Sequence, residues 1–515
     1  MKYMMEVSPL KAQEIDLTRY VSNLDRRVYT IYNLPEEVIA VIFAYVSRSP
    51  HSFRDNLKKL LEDDELAVGD AAGGRTSFYS EKAARFHEKW VVGYGHSSVA
   101  EHAVAHIGIE GISRLASAEL ELANAFNSFT EYSQRYQRPR RGDWYLPPEL
   151  QDHPEAKSLY ADLQEKAYDT YERLLSGLID YLTNRLPRHE GESEKRFRIR
   201  VEKTAFEDAR YVLTLATLTN LGMTGNGRAL RDTLVRLLSS RYPECRQLAR
   251  EMEREIGRVI PTLLKHVKPS PYIVKTREIL EKQTKGAEKI ARPFPEPAGG
   301  PSARFLHLPD YEDALTQLTL SLLIETSALS YEEAAEKARA LSRTEKEAMM
   351  EEALKRLRFF DNPLDAFQHL VYRLELKISE ANWHQLLRHN RRTHFTWGLP
   401  TTELGYTVPP HIRDAGLTDP FRRLVEQATE THRRLREICP EAAPYCVTNA
   451  HHRQVTATVT LWELYHLINL RTSPEAQWDI RAVFEELLSA LKRHHPALAR
   501  YAQRRAGDPP VTGGA

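Results

Sequence analysis

The sequence predicts a helix-rich α+β protein built as two related units. Three observations carry this: helical periodicity over most of the chain, a few short β-branched or alternating runs, and similar segments opening each half. Amphipathic helical runs lie at 82–93, 193–218, 230–240, 250–267, 365–389 and 480–495, and strand candidates at 27–33, 103–111 and 456–462. At 515 residues the chain is long enough to bury a sizeable core in each half.

The first repeat opens at Asn33 with NLPEEVIAVIFAYVSRSPHSFRD and the second at His307 with HLPDYEDALTQLTLSLLIETSALSYEE. Both run from a Leu-Pro-acidic start through an apolar helix to a serine–aromatic turn. Each half then closes on an amphipathic helix with a basic end, near Lys265 and near Arg493. Between them, Pro293, Pro295, Pro297, Gly299 and Gly300 cannot continue a helix or a central strand. The expected organisation is a first unit at 1–284, a linker at 285–303, a second and more divergent unit at 304–506, and a disordered tail at 507–515.

Lys+Arg is 72 and Asp+Glu is 71, so bulk charge gives no reason to expect nucleic acid or a membrane as partner. Any phosphate site must be local. Cys245, Cys439 and Cys446 form no CxxC pair, which argues against a disulfide framework or a thiolate metal site and fits a reducing, cytoplasmic setting. The N-terminus has no apolar core of a secretory signal, and no run of about 18 apolar residues marks a membrane span.

Five segments carry chemistry. In GYGHSSVAEHA, His96 precedes an expected helix start, with Glu101 at capping-box distance from Ser98; exposed N–H groups beside a hydroxyl and an imidazole suit an anionic or polar ligand. In SFTEYSQRYQRPRR, Glu131, Ser133 and Arg135 alternate with Phe129, Tyr132 and Tyr136, and a guanidinium held among rings is oriented for a bidentate contact. Asn226 and Arg228, beside Gly225 and Gly227, suit close approach to a ring edge or phosphate, although a loop between two helices explains them equally. In NWHQLLRHNRRTHF, Gln385, Arg388 and His389 share about one helical face, and Arg391, Arg392 and His394 extend the positive patch. The fifth, LWELYHLINLRTSPEAQWDIR, reads as a helix hairpin with Arg471 at a helix end.

In this order the segments resemble the flavin-dependent thymidylate synthase (ThyX) family. GHSSVAEHA is similar to its GHxSxxEH segment, SFTEYSQRY to the second part of RHRxxSxNExSxRY, HQLLRH to the lead-in and start of RHR, and NLRTSPEAQWDIR to NLRxxxxAQWEI. NGRAL resembles the start of that late region and DARYVLTLAT the ARxxLP stretch. The departures are complementary. In the first half Ala123, Asn124 and Ala125 stand where the family has RHR, with Glu119 and Glu121 nearby, and Thr130 replaces the signature Asn. In the second, Asn390 replaces the second Arg of RHR, Gly398 stands at the serine position, and Thr460 to Trp462 replace NGR.

The resemblance implies two units, each a small, mainly antiparallel sheet packed with long helices. It implies binding of FAD, dUMP and methylenetetrahydrofolate, with NADPH reducing the flavin, which carries the methylene group and supplies the hydride. Carried over, His96, Ser98, Glu101, Asn226, Arg228, Arg388 and His389 fall on the FAD side. Glu131, Arg210 and Gln385 fall on the dUMP side, together with Ser133, Arg135 and Arg471 as the groups nearest the chemistry. A reduced flavin is negative near N1–C2=O, and a polarised uracil carbonyl wants a fixed cationic donor away from water.

The expected function is dUMP methylation to dTMP at a site shared by the two halves. A homodimer would then stand in for the family's tetramer. The alternative is an impaired member that binds a nucleotide or flavin, acts on another nucleotide, or serves as a scaffold. A metal site from His96, His102, His106 and Glu110 is the remaining reading; its i, i+4 pairs suit an ion, but no HExxH is present, and no metal is expected.

Overall fold

The computed structural model describes residues 16–46, 51–62, 98–284 and 301–505. The expected helix at 82–93, His96, residues 285–300 of the linker and the tail at 507–515 lie outside the described residues. By compactness the chain forms two units: 1–109, 126–130 and 221–284 make the first, and 110–125, 131–220 and 285–515 the second. These bounds differ from those of the sequence repeats, whose division at 285–303 remains a proposal about the two halves of the sequence.

Strands and helices meet in one recurring way. Strand β1 (Val104–Ser113) runs into the helix Arg114–Ala123, whose cap Ser113 accepts from Ala116 N at 3.0 Å. After β2 (Ser128–Glu131), strand β3 (Leu218–Asn226) runs into Gly227–Leu238, with Asn226 accepting from Ala229 N at 2.9 Å. The second half repeats this. Strand β4 (Ser302–His307) precedes β5 (Val371–Ser379), where Ser379 caps Glu380–Leu386 by accepting from Asn382 N at 3.0 Å. After β6 (Thr393–Trp397), β7 (His452–Thr460) ends at Thr460, which accepts from Glu463 N at 3.3 Å and starts Leu461–Arg471. A short polar side chain at each junction satisfies an N–H that the first helical turn leaves unpaired.

The strands form two small antiparallel sheets, ordered β1-β3-β2 and β4-β5-β7-β6, and helices dominate the rest. In the second sheet, β5 and β7 pair from Val371↔Thr460 to Ser379↔His452. Tyr372, Leu374, Leu376 and Ile378 of β5 are buried together with Val455, Ala457 and Val459 of β7, so alternate residues of both strands face one core. That core is closed by Ile480, Val483, Phe484, Leu487 and Leu491 of the helix Trp478–His494.

The first unit carries a separate small core of Tyr20, Val21, Val38, Val41, Ile42 and Leu57. Buried Glu37, on the helix Glu36–Val46, accepts from Thr262 N at 2.9 Å and Thr262 Oγ1 at 3.1 Å, tying the beginning of this unit to its end.

Several expected elements change. Residues 365–389 are not one helix: a 3-10 turn at Asp365–His369 is followed by β5 and only then by Glu380–Leu386. The helix expected over 193–218 ends at Ala209, and the stretch before Gly227 is β3 rather than an interhelix loop. The helix expected over 250–267 ends at Ile256, ahead of Pro261, and 27–33 contributes only the isolated bridge Val21↔Ile31. Among the described residues no helix is long and apolar enough to cross a membrane.

Candidate functional site

The site lies in the second unit, where segments of both sequence halves meet. Arg114, Ser117 and Glu121 share the buried side of the helix Arg114–Ala123. Glu131, at the end of β2, accepts from Arg114, from Ser117 Oγ at 2.8 Å, from Thr219 Oγ1 at 3.2 Å, and from Arg388 Nη2 at 2.5 Å. Arg388 also places Nε 3.3 Å from Glu121 Oε2. Glu131 was expected on the dUMP side; its carboxylate is instead engaged by the chain's own donors and holds Arg388.

The two carboxylates differ although they share Arg388. Burial opposes the charge on Glu131, but Arg114, Arg388 and the Ser117 hydroxyl hold its carboxyl below the ordinary range. Glu121 is dominated by burial, opposed by Arg388 and Arg114 and aided by Glu131, and is pushed up to about 7. One carboxylate is thus kept ionised and its neighbour is poised near neutrality.

A second layer gathers Arg135, Arg210, Gln385, His389 and Arg471. Arg135 donates from Nε to Glu207 Oε1 at 2.7 Å and from Nη2 to the Glu475 carbonyl at 3.3 Å, and Ser133 Oγ accepts from Arg135 N at 3.3 Å. Arg471 Nη2 donates to the Gln385 carbonyl at 2.7 Å and lies 2.6 Å from His389 Nε2. Gln385 Nε2 donates to the Ala381 carbonyl at 3.1 Å and to Gln477 Oε1 at 3.4 Å, while Gln477 donates to Tyr211 Oη at 3.0 Å and Tyr211 to Asp479 Oδ2 at 2.8 Å. Burial, then Arg135 and Arg388, bring Arg471 down to about 10, so these three guanidiniums feel one another. Burial likewise lowers Arg210.

Neither Arg210 nor Arg471 has a carboxylate partner among the described residues. Each keeps a buried nitrogen without a hydrogen bond, Arg210 Nη2 and Arg471 Nε, and Gln385 Oε1 is also unpartnered. A buried guanidinium without a counter-ion is expensive, so this arrangement is set up to receive an anion or a strongly polar group.

The remaining expected residues are placed otherwise. Ser98, Glu101, Asn226 and Arg228 belong to the first unit. Ser98 makes no capping bond and precedes only the 3-10 turn Val99–His102, so the expected capping box does not form. Glu101 accepts from Arg228 Nη1 at 2.7 Å in an exposed pair, and Asn226 is used as a helix cap. A Cβ at Gly225 would meet Asn127 Oδ1 and Leu230, and one at Gly227 would meet Leu263 and the Ala100 carbonyl. The chain's own packing therefore fills the space expected for close ligand approach. His106 lies on β1 with Nδ1 2.9 Å from Thr224 Oγ1, and Glu110 is on the same strand, so the helical spacing behind the metal reading is absent.

A different trio, His389, Glu463 and His466, has possible ligand atoms within 4.8 Å of one another. Its surroundings are cationic: burial, then Arg471 and Arg388, lower His389, and burial with Arg471, Arg504, Arg505 and Arg392 lowers His466. That field disfavours a cation and fits an anionic cofactor. Sequence reasoning gave no role to Arg114, Glu207, His384, Tyr211, Gln477 and Asp479, although His384 stands in HQLLRH, Tyr211 in DARYVLTLAT, and Gln477 and Asp479 in AQWDIR.

The result is an α+β protein with repeated strand–cap–helix junctions and a buried arginine cluster drawn from both halves of its sequence. A profile of the thymidylate synthase complementing protein family matches residues 30–262 and 315–497, and the chain belongs to that family. A UPF0159 protein of Chlamydia muridarum is 26% identical over 511 residues, covering 95% of this chain and 93% of its own. A flavin-dependent thymidylate synthase of Clostridium tetani is 31% identical over 182 residues, 35% of this chain and 69% of its own. The crystal structure of the UMP/dUMP methylase PolB from Streptomyces cacaoi bound with 5-Br dUMP aligns with 40% of this chain and 97% of that chain, at 17% identity and a TM-score of 0.34.

Proposed function

We propose that this protein is a flavin-dependent nucleotide methylase that converts dUMP to dTMP with methylenetetrahydrofolate. The observation carrying this reading is that Arg135 and Arg210, from the first half of the sequence, share one cluster with Gln385, Arg388 and Arg471 from the second, buried at Arg210 and open at Arg388. The arginines lost from the first half's RHR position are answered there by Arg388 and His389.

In this reading the nucleotide phosphate and a uracil carbonyl are taken by Arg210, Arg471 and Arg135, with the Ser133 hydroxyl beside them. Buried guanidiniums with unused donors stabilise charge developing on a carbonyl oxygen more than they would in water. Glu207 orients Arg135, and Gln477 orients Gln385. Arg388 and His389 would hold FAD, which supplies methylene transfer and the hydride, reduced by NADPH. Ser98, Glu101, Asn226, Arg228 and His96 are assigned to the cofactor on the resemblance alone. Two copies of the chain would provide the equivalent of the family's tetramer.

The test is the visible spectrum of the purified protein followed by tritium release from labelled dUMP. Flavin near stoichiometry and dUMP-dependent release are expected. A colourless protein that takes up no added FAD overturns the reading. Binding without methylation is the second reading, favoured by Arg388 being engaged by both Glu121 and Glu131.

A further inference from the structure

A cleft in the second unit lies apart from the arginine cluster. It measures about 280 Å³, its open mouth included, and none of Arg135, Arg210, Gln385, Arg388 and Arg471 lines it. Pro139, Trp144, Ala167 and Tyr168 give it apolar and aromatic walls, and Gln164 and Thr217 are among its polar residues. Gln164, on the helix Pro154–Arg185, is 3% exposed. Its Oε1 accepts from Thr214 Oγ1 at 2.5 Å, but its Nε2 has no hydrogen-bond partner among the described residues. A buried amide nitrogen is nearly always paired, so this one marks where an acceptor belongs.

The second half of the sequence shows what such a place accommodates. At the cleft, Trp144 bridges to Thr217 and Tyr145 N donates to the Ala216 carbonyl at 2.9 Å. In the other half, Tyr406 bridges to His451 and Thr407 N donates to the Ala450 carbonyl at 3.0 Å. Thr214 and Thr448 pair with each other, so Thr217 and His451 stand at equivalent positions, three residues beyond that pair. His451 is fully buried, and its ring accepts from Thr448 N at 3.1 Å through Nδ1 and lies 3.2 Å from Thr429 Oγ1 through Nε2. Thr217 has no ring to offer. Where one half is closed by its own imidazole, the other keeps a cleft and an unused amide nitrogen.

We propose that this cleft binds a small neutral aromatic nitrogen heterocycle, whose ring takes the place that His451 fills in the other half and whose ring nitrogen accepts from Gln164 Nε2. The walls suit a flat ring: Trp144 spends its Nε1 on Glu165 Oε1 at 3.0 Å, which leaves its indole face for packing. The ligand must accept, because a glutamine nitrogen only donates. Arg140 and Asp143 line the cleft with opposite charges, so neither sign of ligand is favoured over a neutral one. The inference does not depend on the nucleotide reading of the arginine cluster.

The experiment titrates the full chain with imidazole and with pyrrole by calorimetry at a mildly alkaline pH that keeps imidazole neutral. The two rings are alike in size, but pyrrole has no acceptor nitrogen. Imidazole is expected to bind saturably and pyrrole about tenfold more weakly, the loss of one hydrogen bond. Thr217→His, which supplies the ring from the chain itself as the other half does, should abolish imidazole binding. Gln164→Leu should bring imidazole down to the affinity of pyrrole. If either variant does not fold, the other variant and the two rings on the wild-type chain still decide. Equal binding of both rings, imidazole binding unchanged by Thr217→His, or no saturable binding of either ring, as in a cleft that holds only water, overturns the proposal.

Discussion

Two arginine–glutamate pairs, one in each unit, show what burial does to the same chemistry. Arg228 and Glu101 meet at 2.7 Å with both side chains nearly half exposed, whereas Glu131 is 1% exposed and shared by Arg114 and Arg388. The exposed pair competes with water and salt and is worth about 0–1 kcal/mol. Removing Glu131's charge strands Arg114, whose side chain is buried, and takes from the more exposed Arg388 one of its two carboxylate partners. The comparison teaches that contact distance alone does not rank these arginines; the number of buried groups depending on each carboxylate does.

Glu131→Gln should break the comparison hardest, destabilising the protein by about 3–5 kcal/mol in urea unfolding. A loss no larger than that for Glu101→Gln would erase the distinction. Arg471→Ala comes next: it should weaken dUMP by about 1.5–3 kcal/mol in calorimetry, the scale of a charged hydrogen bond. Unchanged binding would remove Arg471 from the nucleotide site.

Glu121→Gln sharpens the contrast within one shell and should have the opposite sign to Glu131→Gln. Because the carboxyl of Glu121 is raised to about 7, its contribution to stability is full below its unfolded value and is lost as pH rises through 7. Near pH 5 the glutamine variant should match wild type. By pH 8 it should be more stable by roughly 1–3 kcal/mol, read from melts across that range. A variant less stable at pH 8 would mean that Glu121 works as an ionised partner of Arg388. The smallest effect on stability belongs to Arg228→Ala, within about 0.5 kcal/mol. If the two halves share a flavin, this variant and Arg388→Ala should both lose the flavin absorbance; bleaching by only one breaks the shared site.

Much of the candidate site was legible because the residues sit in ordered motifs: Ser133 and Arg135 after the glutamate of SFTEYSQRY, Gln385, Arg388 and His389 in HQLLRH, and Arg471 before AQW. The roles were less so. Glu131 reads as a ligand residue in its motif, yet its partner Arg388 is 257 positions away, and no local pattern records that distance. Asn226 and Arg228 occupy a motif as well, but here one caps a helix and the other makes an exposed ion pair. His384 stands in HQLLRH as well, but the motif does not tell that the charges of Arg114, Arg210 and Arg453 reach it from distant chain.

By itself the sequence determined the helix-rich class and the identities of the arginines, because periodicity and motifs act within a few residues; the caps Ser113, Asn226, Ser379 and Thr460 emerged only with the strands that lead into them. Tertiary structure decided that Tyr372, Leu374, Leu376 and Ile378 form a strand, since an alternating run is held extended only when one of its faces is buried and its backbone is paired. It also decided which carboxylate keeps its charge. Glu121 and Glu131 are chemically alike, and only the count of donors brought to each by distant chain, against the cost of removing water, separates them.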